Sequence, residues 1–121
     1  MGVWGAGNFA SDAALDYVHE VVDTMVHQIA EAIASEHGME PDEDSSTVMV
    51  CNVELMCLIG RRVGISMVKA AAVESWKEAY LKVWDGYIDG LKPVPGFKEE
   101  RRAVIVETFD RLIELCRQRE G

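Results

Sequence analysis

Apolar residues recur at helical spacing along most of the chain. Leu15, Val18, Val22, Met25, Val26, Ile29 and Ile33 advance in steps of three and four. At about 100° per residue they gather within ~100° of arc, one face of a helix. The spacing predicts a first helix from about Ser11 or Asp12 to Glu36. Ser11 can cap it, Asp12 and Asp16 lie near the positive end of its dipole, and His37-Gly38 offers a glycine stop. Residues 39–46 then form an acidic loop broken by Pro41, with Asp44, Ser45 or Ser46 available to cap the next element.

A second helix is predicted from about Thr47 to Arg62. Val48 to Ile59 is apolar at nearly every position, which predicts burial on all sides among other helices. Its strongly polar members are Asn52 and Glu54. A third helix is predicted from about Met67 to Gly90 or Leu91, with Ser66 as its cap. Trp76, Tyr80, Trp84 and Tyr87 recur on one face of it, alongside Val68, Ala72, Ala79, Val83, Ile88 and Leu91. Gly86 and Gly90 weaken its last turns by about 1 kcal/mol each relative to Ala, so the helix is expected to end earlier. Residues 92–97 carry two prolines and a glycine and read as a linker. A fourth helix follows from about Lys98 to Arg119, with a core stripe of Ile105, Phe109, Leu112, Ile113 and Cys116. Its charges, Glu99 and Glu100 early and Arg117 and Arg119 late, match the helix dipole. The chain therefore reads as an all-α, single-domain four-helix bundle over residues 1–121, preceded by a Gly-rich structured lead. Trp4 and Phe9 are too apolar to sit in water and are expected to pin that lead to the core.

The opening is specific in its own right. Met1, Gly2, Trp4, Gly5, Gly7, Phe9, Asp12, Ala14 and Asp16 resemble the start of a small bacterial family classed as a domain of unknown function. Its members open M-G-x-W-G-x-G-x-F-x-N-D-x-A-x-D-[WF]. Here Ser11 stands for the usual Asn, and Tyr17 for the usual Trp or Phe. The likeness continues loosely through Glu54 in an apolar helix and through Ala79, Val83 and Trp84. It implies an all-helical fold and carries no established chemistry. Some comparable small acidic bacterial families are immunity proteins paired with secreted toxins, which is an analogy of type only.

Charge narrows the function classes. The 121 residues hold 12 Lys and Arg against 21 Asp and Glu, a net charge of −9. That argues against a nucleic-acid partner and against anionic membranes, both of which call for basic surfaces. The imbalance is local: residues 1–60 contain no Lys or Arg, whereas residues 61–121 nearly balance. On the first helix, Asp12, Asp16, His19, Glu20, Asp23, His27 and Glu31 fall on a stripe of roughly 120° of arc opposite the apolar face. A solvated face, a surface for a basic protein partner and a metal site are three readings of that stripe. The metal reading is disfavoured because bundle metal ligands point into the core.

Other candidate chemistry is thin. The glycines of the lead match no phosphate-binding motif, and no strand precedes them. The loop after the first helix has Thr47 and Val53 where a calcium-binding EF-hand needs Gly and Glu. No nucleophile–His–acid constellation is present, no cofactor is implied, and the chain leans away from being an enzyme. Three cysteines without a CxxC pair suggest buried, reduced thiols. No secretory signal reads from the N-terminus, Ala6 spoils a myristoylation signal, and the apolar run falls short of the ~20 residues a bilayer needs. A cytoplasmic location is expected. Glu54 and Asn52 are expected to form a buried polar anchor, with Glu54 paired or shifted in pKa. A pocket between Glu54 and the third-helix aromatics, binding or converting a small molecule, is the second functional reading. A homo-oligomer covering the apolar excess of helices two and three is the third.

Overall fold

A computed structural model describes residues 2–64 and 68–120. It contains four α-helices: α1 (Asp12–Ala34), α2 (Asp44–Val63), α3 (Ala70–Tyr87) and α4 (Phe97–Glu120). A 3₁₀ turn, Ile88–Leu91, extends α3. No strand occurs among the described residues. The protein is an all-α helical bundle, as the apolar periodicity predicts. The expected cap Ser66 and helix start Met67 lie outside the described residues.

Packing order differs from chain order. α2 packs against α1 on one side and α4 on the other, and α3 packs against α4. Around the bundle the order is thus α1, α2, α4, α3, with the α1–α3 seam the thinnest. The core holds Val22 and Ile29 of α1, Met49 and Val53 of α2, Val73 of α3, and Ile105, Phe109 and Cys116 of α4, all essentially inaccessible to solvent. The aromatic side chains Trp76, Tyr80 and Trp84 are buried, and Tyr80 lies against Phe109 with ring centroids 5.7 Å apart. Tyr87 is at the surface.

The helix ends follow local chemistry. Ser11 Oγ accepts the Ala14 N–H at 3.2 Å, which makes it the N-cap of α1. The expected glycine stop at Gly38 is not used. α1 ends at Ala34, and Ser35 adopts an extended conformation. Gly38 instead serves a close approach, since a Cβ there would lie 2.3 Å from the Ala32 carbonyl oxygen. The tight turn leading to α2 is then tied by Ser45, whose hydroxyl donates to the Gly38 carbonyl at 2.6 Å. Gly64, at φ 83°, closes α2 with its N–H on the Gly60 carbonyl. α3 ends at Tyr87, before Gly90, as its glycines imply. At its other end the Ala70 N–H donates to Glu120 Oε1, so the last turn of α4 supplies an acceptor for the first turn of α3.

The lead is structured, in part by the expected means. Phe9 is half-buried and packs against the core beneath the Arg62 guanidinium at 5.4 Å, whereas Trp4 is 57% exposed and pins nothing. Backbone hydrogen bonds hold the segment: Trp4 N–H to Ala10 O, Ala10 N–H to Gly7 O and Asp12 N–H to Gly2 O. A single antiparallel bridge joins Val3 to Ser11. At Gly2 any Cβ would collide with the Asp12 side chain, so the motif glycine is a matter of space.

Two predictions test this packing. Gly38→Ala should cost about 1–3 kcal/mol through overpacking, whereas Gly86→Ala, on an exposed helical position with open space around it, should gain about 0.5–1 kcal/mol; chemical denaturation reads both. The second concerns the buried Ser46–Tyr80 hydroxyl pair, 2.9 Å apart. Tyr80→Phe should cost about 1–2 kcal/mol by stranding the Ser46 hydroxyl, and adding Ser46→Ala should cost less than the sum of the single changes.

Candidate functional site

The acidic stripe is presented as its spacing implies. Asp12, Asp16, His19, Glu20, Asp23, His27 and Glu31 are all exposed on the outer face of α1. Among the described residues, none of the seven enters an ion pair. The Lys and Arg pairs fall elsewhere, in the second half of the chain: Lys77–Asp110, Lys98–Asp89, Arg102–Asp85, Arg111–Glu107 and Arg117–Glu74. The Arg102 guanidinium beside Asp85 holds that carboxyl below its ordinary range. So the C-terminal half neutralises itself, and the α1 stripe leaves its field unbalanced in solvent. Among the described residues, no three His, Cys, Asp or Glu side chains converge as metal ligands.

Beside the stripe runs an exposed apolar strip, part of the apolar excess of the second helix from which the homo-oligomer reading starts. α2 is not buried all round. Val48, Cys51, Leu55 and Leu58 are exposed on its outer face. From α1, Tyr17, 64% exposed, stands next to Asp16 and one turn before Glu20 and Val21. Between the two helices Tyr17, Val18 and Val21 face Leu58 and Ile59 across a groove of about 350 Å³, closed at one end by Phe9 and Arg62. The signal was present: a half-buried helix needs an apolar arc of little more than ~100°, and α2 is apolar well beyond that.

The proposed buried anchor divides. Asn52 is buried and donates to Gln28 Oε1 at 2.9 Å, tying α2 to α1. Glu54 is exposed, on the outward face one turn from Leu58, and so is no buried carboxylate. Nor is it among the residues lining the cleft at Tyr80 and Trp84. Tyr80 and Trp84 line a separate cleft of about 440 Å³ at the opposite end of the bundle from the lead, between the start of α2, the end of α3 and the start of α4. Burial pushes the Tyr80 phenol above its ordinary pKa, partly offset by the Ser46 hydroxyl. The cysteines also divide: Cys57 and Cys116 are buried as expected, and Cys51 is exposed.

Among the described residues, no helix is long and apolar enough to cross a membrane. No curated protein and no solved structure is significantly similar to the chain. The family model for DUF4259, a domain of unknown function, matches residues 2–115 and so takes in the lead, α1, α2, α3 and nearly all of α4. The chain therefore belongs to the DUF4259 family.

Proposed function

We propose that the protein is a non-enzymatic docking module whose α1–α2 face receives a basic, amphipathic protein partner. One observation carries the reading: an unpaired acidic stripe lies directly beside an exposed apolar strip. The strip supplies area to bury, and the stripe selects by charge and speeds encounter with a basic surface. Solubility alone would account for the stripe, but it gives no reason to leave Tyr17, Leu55 and Leu58 in water. A second copy of the chain is the weaker occupant. A two-fold contact through this strip with the helices antiparallel would bring stripe against stripe, with Asp16 and Glu20 facing their own kind. An immunity- or antitoxin-like pairing, in which a small acidic protein masks a basic effector, suits the charge and size. The reading is cytoplasmic, since a free exposed thiol such as Cys51 persists in a reducing compartment.

The test uses a synthetic amphipathic helix with lysines on one face and leucines on the other. Its association rate should fall steeply with added salt. Asp16→Lys with Asp23→Lys should slow association about tenfold at low salt. Asp42→Lys with Glu43→Lys, the same change of net charge placed on the loop, should slow it far less. Equal slowing by the two pairs, or none, would overturn the proposal. So would light scattering that shows a dimer dissociated by Leu58→Asp, because the strip would then be a self-contact.

A further inference from the structure

The cleft at the far end of the bundle carries an inference of its own. Its floor is the buried pair of Tyr80 and Trp84, and its walls are Ile88, Leu91, Val94 and Phe97. Val94, 70% exposed, and Phe97, 46% exposed, stand at its mouth in water. The floor needs no polar partner, because the Tyr80 and Ser46 hydroxyls satisfy each other. One charged group completes the lining, Arg101 of α4.

Arg101 differs from its neighbours. Four Lys and Arg side chains are half-buried among the described residues: Lys77, Lys98, Arg101 and Arg102. Lys77 holds Asp110 at 2.7 Å, Lys98 holds Asp89 at 2.8 Å and Arg102 holds Asp85 at 2.8 Å. Arg101 has no carboxylate partner among the described residues. Its own helix offers none, since the positions three and four residues away are Phe97, Lys98, Val104 and Ile105. Arg101, a partly buried residue lining an apolar cleft, carries a planar fork that matches a carboxylate.

We propose that this cleft binds an organic monocarboxylate with an apolar body, its carboxylate on Arg101 and its chain or ring against Trp84, Ile88 and Phe97. At about 440 Å³ the cleft falls in the lower part of the roughly 300–1,000 Å³ range of small-ligand sites, which suits a single medium-length chain or fused ring and not a two-tailed lipid. A second negative charge is disfavoured. Beside Pro41 the loop carries Glu40, Asp42 and Glu43; the charge of Asp42, then burial, then Glu40 and Glu43 raise the Tyr87 phenol above its ordinary pKa. The site therefore selects one anion at the Arg101 end and tolerates none on the loop side.

Decanoate, decanol, 1-naphthoate and the dicarboxylate sebacate are the probes, used below micelle-forming concentrations and titrated against tryptophan fluorescence and by calorimetry. Decanoate should bind about tenfold more tightly than decanol, the preference a charge-assisted hydrogen bond supports. 1-Naphthoate should compete with decanoate, and sebacate should bind more weakly than either. Arg101→Gln should abolish the preference of decanoate over decanol while leaving decanol binding and the melting temperature unchanged, and Arg101→Lys should retain part of it. Val94→Asp should weaken decanoate and decanol together. Equal binding of decanoate and decanol to the unaltered protein, survival of the preference in Arg101→Gln, or no binding of any probe would overturn the proposal. The outcome is independent of the α1–α2 face, whose residues lie outside this cleft.

Discussion

The structure depends on what α2 must touch. Met49, Val53 and Met56 are withdrawn from water between α1 and α4, and the other seam of α1, with α3, is the thinnest in the bundle. Antiparallel contact with α1 sets the short turn at Gly38, where the backbone comes too near Ala32 to admit a side chain. Contact with α4 leaves α3 packed chiefly against α4. Once α2 is held from both flanks, its remaining arc has no helix to cover it. The exposed Val48, Leu55 and Leu58 follow from the packing order, without any departure from hydrophobic logic.

Most of the architecture was legible in the sequence because it rests on period. The core stripes of α1 and α4, the Ser11 cap and the early end of α3 all follow from spacing and residue type. What was illegible was lateral order. Periodicity says which face of a helix is apolar and is silent on which helix covers it. Glu54 shows the limit: within an apolar run it reads as buried, yet it falls on the one arc of α2 left to solvent. Trp4 shows another. Its size suggested an anchor, but four residues of lead already satisfied by backbone hydrogen bonds have no need of one. Arg101 was equally invisible, since its meaning lies in a missing partner that only three dimensions reveal.

Electrostatics divides the bundle in the same way as the chain. The Lys77–Asp110, Arg102–Asp85 and Arg117–Glu74 pairs join α3 to α4 at three levels. Such exposed pairs contribute little each, about 0–1 kcal/mol, but each sets a basic group of that half against an acidic one. The α1 stripe enters no such pair among the described residues. The asymmetry first seen as a count of residues is therefore a difference between a face already matched and a face still open.

The contact between Glu120 and the first turn of α3 has a practical side. Together with the folding of Gly2 back onto Asp12, it brings both ends of the described chain to the same pole of the bundle. The opposite pole, with the Gly38 turn, the Arg101 guanidinium and the mouth formed by Val94 and Phe97, stands clear of them. A surface tether attached at the first pole would therefore leave the opposite pole facing outward.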